Sequence, residues 1–209
     1  MMPSHTAEFL DPASIAFRAT PTIPSGSGLS GLGSAIINLP AHVVYDAILD
    51  VENFPKWTTF IRGSEIITLA PGQSETDRKM HEGTRWKYAV AMSETGTPAS
   101  SNEKCVEVQP LQLAKGDGTT ATTTVRWVYD VPFPFKYLLK AEHVNEITDL
   151  GDGRTEYVHW ETFSGVGAMF VKATAGDYLR KKFNDWPEEL KTYLEKGDTE
   201  GGIAGNNSA

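Results

Sequence analysis

Apolar and polar positions change period along the chain, and each change marks an element. GSAIINLP reads as a first strand, and AHVVYDAILD then carries Val43, Val44, Ala47 and Ile48 on one face of a short helix. ENFPKW follows as a second short helix or turn. Six strand-like runs come next: IRGSEIITLA, GTRWKYAVAM, NEKCVEVQPLQLA, TATTTVRWVYD, AEHVNEITDL and RTEYVHWETFS. The glycine-rich stretches 115–118 and 151–153 supply the positive φ of tight hairpin turns, so consecutive runs form an antiparallel meander. In the C-terminal run, Val171, Ala175, Leu179, Phe183, Trp186, Leu190 and Leu194 recur at steps of four or three and paint one stripe on a helix. That pattern is roughly 40 Å long, enough to cross a whole sheet. Pro187 lies inside it, and Asp185 with Glu188 forms a capping-box pattern, so a kink or break is expected at 184–186. The sum is an α+β chain in which a curved antiparallel sheet of about seven strands must cover its apolar face with the one long helix.

The ends of the chain differ from this body. PTIPSGSGLSGLGS, residues 21–34, is dominated by glycine and serine, a composition of flexible chain, and SIAFRAT before it alternates well enough for an extra edge strand. Residues 1–32 are therefore expected to be a flexible N-terminal segment, 33–196 a single folded domain and 197–209 a disordered tail.

Charge and composition exclude several partners. A net charge of −8 with no Lys/Arg cluster repels phosphate backbones, which argues against nucleic acid. No apolar run approaches the ~20 residues of a bilayer span, so no membrane insertion is expected. Cys105, the single cysteine, has no partner for an internal disulfide and no evident activating neighbour. The start has no signal-peptide pattern, and a cytoplasmic location is the default. The glycine-rich stretch at 21–34 lacks the Gly-Lys-Ser/Thr ending of a phosphate loop. The oligomeric state is left open.

INLPAHVVYDAILDVENFPKWTTFI, with Asp50, Phe54, Pro55 and Trp57, resembles the first-strand and helix signature of the START-like superfamily, also called SRPBCC. AEHVNEITDLGDGRTEYVHWETFSG resembles that superfamily's penultimate hairpin, with His159, Glu161, Phe163 and Gly165 in its final strand. The superfamily includes polyketide cyclases and dehydratases and the birch pollen allergen group. The resemblance covers 33–196 and departs from the pattern at Asn145 and Pro187. It implies a helix-grip fold whose cavity holds a lipid, sterol, polyketide or aromatic ligand, bound by an enzyme or by a carrier.

Candidate chemistry gathers on the last hairpin. Alternation puts Tyr157, His159, Glu161 and Phe163 on one face of the last strand, and Val158, Trp160, Thr162 and Ser164 on the other. Hydrophobicity does not choose between the two faces, whereas the resemblance turns the first inward. A three-residue loop at Gly151–Gly153 pairs Leu150 with Arg154, and so sets His143 opposite Glu161 and Asn145 opposite His159, with Cβ atoms about 5 Å apart. His159, Glu161 and His143 are then candidate general acid and base groups for enolisation, aldol closure or dehydration of a polyketide-like substrate without a cofactor. Mutual satisfaction of hydrogen bonds within the fold explains the same contacts and stays open beside catalysis. A metal site is the weaker reading, because no short ligand motif is present.

Trp86, Tyr88 and Met92 on one strand, and Trp127 and Tyr129 on another, are expected to wall the cavity together with Asn145, Tyr157 and Phe163. Gly176 would leave room for a ligand along the helix, and VPFPF at 131–135 reads as a loop at the cavity mouth or a structural turn.

Overall fold

The computed structural model describes residues 5–26, 28–116, 118–131 and 137–204, with side chains to residue 197. The elements in chain order are α1 (Ala7–Leu10), β1 (Leu29–Ile37), α2 (Ala41–Leu49), a 3₁₀ helix (Val51–Lys56), β2 (Ile61–Thr68), β3 (Arg85–Val90), β4 (Ala99–Val108), β5 (Ala121–Tyr129), β6 (Lys140–Asp149), β7 (Thr155–Ser164) and α3 (Val166–Ala204). The seven strands form one sheet in the order β1-β7-β6-β5-β4-β3-β2, and every neighbouring pair is antiparallel. Five hairpins lay β2 to β7 side by side. The α2 and 3₁₀ connection carries the chain from one end of the sheet to the other, which leaves the concave face open to α3.

The last hairpin has the expected register. Leu150 donates its N–H to the Arg154 carbonyl, Gly151 and Gly153 have φ of 77° and 85°, and the pairs His143–Glu161 and Asn145–His159 follow. Those positive φ values are the reason glycine flanks Asp152.

The stripe on α3 is the inner layer of the core. Ala175, Leu179, Phe183, Trp186 and Leu190 are buried, with Val171 and Leu194 partly buried at its ends. Phe54 and Trp57 of the 3₁₀ region meet Trp186 edge-on at 5.4 and 4.9 Å between ring centres. The Phe-Pro-x-Trp string thus anchors the crossover to the helix.

Four expectations about the chain's organisation need correction. First, β1 starts at Leu29, inside the glycine-rich stretch. Gly31 and Gly33 face α3, where an added Cβ would lie 2.1 Å from Phe183 Cδ2 and 2.3 Å from the Phe183 carbonyl oxygen, respectively. Glycine is required there for close approach of helix to strand. Second, residues 14–20 form no strand. Arg18 is buried, and its guanidinium donates to the carbonyls of Phe9, Asp11 and Ser14. Phe9 and Leu10 pack on Leu32, Val144, Val158 and Trp160, so this N-terminal strap covers the convex face of the sheet.

Third, α3 does not break near Pro187. The carbonyl that the proline cannot serve, that of Phe183, is taken by His159 Nε2 at 2.6 Å. The capping box does not form either. The helix does not restart at Asp185, whose carboxylate pairs with Lys181 one turn earlier and caps no new N-terminus. Fourth, helical backbone continues through Ala204, past the boundary drawn at Gly197. Extending an existing helix avoids the cost of nucleation, so polar composition alone does not end it.

Candidate functional site

A cavity of about 140 Å³ lies between the concave face of the sheet and α3, roughly ten times the ~10–15 Å³ that one water needs. Tyr88 and Met92 from the β3 side, Trp127 and Tyr129 from β5, and Phe163 from β7 form most of its apolar wall. Leu179 and Trp186 of α3 close it. Polar groups converge on one side. His143 of β6 and Glu161 of β7 sit opposite each other, with the imidazole Nδ1 3.8 Å from the carboxyl Oε2. That separation is too long for a direct hydrogen bond, but one ligand oxygen can lie within reach of both groups.

The electrostatics follow from burial. The Glu161 carboxyl is held well above the usual carboxylate range, mainly by desolvation and secondly by Glu103. Glu103, on β4 opposite Trp86 and Tyr129, lines the same cavity; desolvation raises it to about 8, with Asp130 adding and a hydrogen bond from Ser101 opposing. His143 is pushed well down by burial and by its neighbour His159. The cavity therefore favours the uncharged form of all three groups, the two carboxyls and the imidazole. The Tyr88 hydroxyl is buried there beside the Trp86 indole N–H, and burial and Glu103 keep it protonated.

Seven of the residues singled out in the sequence line this cavity: Tyr88, Met92, Trp127, Tyr129, His143, Glu161 and Phe163. Five do not. His159 lies behind His143, with Nδ1 2.7 Å from His143 Nε2 and Nε2 2.6 Å from the Phe183 carbonyl, so both ring nitrogens are engaged inside the fold. Asn145 and Tyr157 belong to a separate buried chain. Trp186 Nε1 donates to the Tyr157 hydroxyl, that hydroxyl donates to Asn145 Oδ1, and Asn145 Nδ2 donates to the Val125 carbonyl. Trp86 packs behind Tyr88 and Trp127 as core. Gly176 faces Lys172 and Leu29 at ordinary contact distance and opens no space into the cavity. The string at 131–135 lies, from residue 132 on, outside the described residues.

Three polar residues of the site, Ser100, Ser101 and Glu103, are not among those singled out in the sequence. Antiparallel pairing with the Trp86 and Tyr88 strand was the available signal, since it sets Glu103 opposite Trp86 and Ser101 opposite Tyr88. Among the described residues no group of three or more His, Cys, Asp or Glu side chains is arranged to hold a metal ion. Cys105 is buried, its thiol pushed up to about 12 by desolvation, and it donates weakly to the Glu107 and Arg126 carbonyls.

A family model described as polyketide cyclase / dehydrase and lipid transport matches residues 33–195. The chain belongs to that family. Its place among polyketide cyclase/dehydrase and lipid transport proteins gives the cavity its setting, a fold that binds hydrophobic ligands. A curated relative, the oxopyrrolidines biosynthesis cluster protein O of Penicillium oxalicum, is 25% identical over 189 residues, 85% of this chain and 92% of the relative. A hypothetical protein of Helicobacter pylori shares the fold with a TM-score of 0.60 at 15% identity, covering 86% of this family member and 96% of that chain. A START superfamily protein of Mycobacterium smegmatis does so with a TM-score of 0.54 at 15% identity, covering 80% and 97%. Among the described residues no helix is long and apolar enough to cross a membrane.

Proposed function

We propose that this protein binds an apolar, carbonyl-bearing molecule of the polyketide type and catalyses proton transfer on it without a cofactor. The observation that carries this reading is the joint presentation of a neutral imidazole and a protonated carboxyl, 3.8 Å apart, to one apolar cavity. In the proposed step His143 takes a proton from a carbon flanked by carbonyl groups. The C–H electron pair moves into an enolate, and Glu161 gives its proton to the enolate oxygen. Enolisation of this kind opens both cyclisation and dehydration. The Tyr88 hydroxyl and the Glu103 carboxyl are further donors for ligand carbonyl oxygens.

A simple aryl β-diketone in deuterium oxide, followed by proton NMR, tests the step. Glu161→Gln should slow exchange of the activated C–H by about a hundredfold or more while displacement of a fluorescent apolar probe stays unchanged. Equal exchange rates in variant and parent would remove Glu161 from the mechanism. A carrier is the second reading, favoured by the complete internal engagement of His159 and by the lipid transport part of the family description. It predicts tight probe binding with no acceleration of exchange by either protein.

A further inference from the structure

The two histidines, Pro187 and Gly33 form one device. The N–H of residue 187 would ordinarily serve the carbonyl of residue 183, four positions earlier, and proline has none. That carbonyl lies against β1 at Gly33, directly across the ladder from His159, and only a residue without a side chain leaves it room. His159 reaches it with Nε2 at 2.6 Å.

A carbonyl oxygen can only accept, so His159 must carry its proton on Nε2. Burial pushes His159 down to about 3, and the ring is neutral, which leaves its Nδ1 bare. A bare Nδ1 can only accept, and 2.7 Å away lies His143 Nε2, which must therefore be the donor. His143 is neutral for the same reason of burial, so its remaining nitrogen, Nδ1, is bare and points toward Glu161 and the cavity. Trp127 and Trp186 flank the His143 ring with centres 4.4 and 5.6 Å away, and they offer its nitrogens no competing acceptor. Every proton in the chain thus has its direction set from the Phe183 carbonyl in the middle of α3.

We propose that Pro187 is a positioning residue, which, by freeing the Phe183 carbonyl, sets the tautomers of His159 and His143 so that His143 presents an unprotonated Nδ1 to the cavity. This rests on the reading of His143 as the base, but it concerns the resting protein alone. The arrangement also supplies what a base needs after it has reacted. When His143 takes a proton on Nδ1, its Nε2–H remains bonded to His159, and the Phe183 carbonyl behind His159 polarises the pair in the direction that stabilises the imidazolium.

Nitrogen-15 NMR of histidine-labelled protein at pH 7, without substrate, reads the tautomers directly. In the parent protein both residues should show a protonated Nε2 and a bare Nδ1, favoured by roughly tenfold or more because the alternative leaves a buried acceptor unpaired. A dominant Nδ1–H form or a charged ring at His143 would overturn the proposal. Pro187→Ala restores a competing amide donor, and the Nε2–H preference should fall by about threefold or more. An unchanged ratio in a folded Pro187→Ala protein would remove Pro187 from the device. His159→Gln, whose amide can donate to the carbonyl and accept from His143, should retain the bare His143 Nδ1, whereas His159→Phe should not; the same ratio in both would also count against the chain. Because these spectra need no turnover, a failed exchange assay with correct tautomers rejects only the catalytic reading, an unchanged ratio in folded Pro187→Ala rejects only this one, and a dominant Nδ1–H form at His143 rejects this one and removes His143 as the base.

Discussion

Replacing Gly33 by alanine would push a methyl group into α3. A Cβ at this position would lie 2.3 Å from the Phe183 carbonyl oxygen and 2.8 Å from Pro187 Cδ, while real Cβ atoms essentially never show contacts under 3.0 Å. Helix and strand must separate by roughly 0.7 Å or more, because the obstacles are backbone and a proline ring, and overpacking of this kind costs about 1–3 kcal/mol. The separation also draws the carbonyl away from His159 Nε2, now at 2.6 Å. Leaving a buried group unpaired adds about 1–3 kcal/mol. A total near 3 kcal/mol lowers the thermal midpoint by roughly 6–12 °C in a domain of this size. Thermal melts followed by circular dichroism would measure it. Gly63→Ala is the control, since its Cβ would meet only Ala89 Cβ, at 3.5 Å, and the change there should stay below about 1 kcal/mol. A Gly33→Ala midpoint within about 2 °C of the parent would refute the close approach of α3 to β1.

Other outcomes follow from the buried ionisable groups. The Glu103 carboxyl is raised to about 8 in the fold, so its contribution to stability is complete below its ordinary value of 4.5 and is lost as pH rises through about 8; urea midpoints of Glu103→Gln should gain on the parent across that window, and parallel pH profiles would show that Glu103 ionises normally. His143 and His159 are both lowered by burial, so their contribution is complete above the ordinary value of 6.5 and is lost as pH falls below it, for His159 through about 3. Neutral imidazole resonances at pH 5 in folded protein are the expected sign, and charged ones would contradict it. Glu142 is fully buried, paired with Arg126 and accepting from the Thr22 amide at 2.7 Å, so Glu142→Ala should cost about 3 kcal/mol and speed proteolysis within the N-terminal strap. Unaltered cleavage would show that the strap is held by other contacts. Cys105, buried with its thiol pushed to about 12, should resist thiol reagents until the protein is unfolded by urea, and modification under native conditions would contradict its placement.

The chain's own periodicities carry much of this architecture. Three-residue spacing between Leu150 and Arg154, with glycine at both positive-φ positions, is a local property, so the register of β6 on β7 could be read before any tertiary contact was known. The stripe on α3 was equally legible, because a helix repeats its buried face every three or four residues. The inward face of β7 was harder to read. Val158 and Trp160 are as buried as Tyr157 and His159, since the N-terminal strap covers the convex side and erases the usual contrast between apolar and polar positions.

Sequence alone thus determined the succession of elements, the antiparallel pairing of neighbouring strands and the juxtaposition of His143 with Glu161. Only the tertiary structure decided that Gly31 and Gly33 serve close packing, that α3 passes through Pro187 unbroken, and that His159 turns away from the cavity toward a backbone carbonyl. Those outcomes depend on groups far apart in the chain, His159 and Phe183 by 24 residues and Gly33 and Pro187 by more than a hundred. Local periodicity records which face of an element is buried, and it holds no record of which distant backbone atom arrives to meet that face.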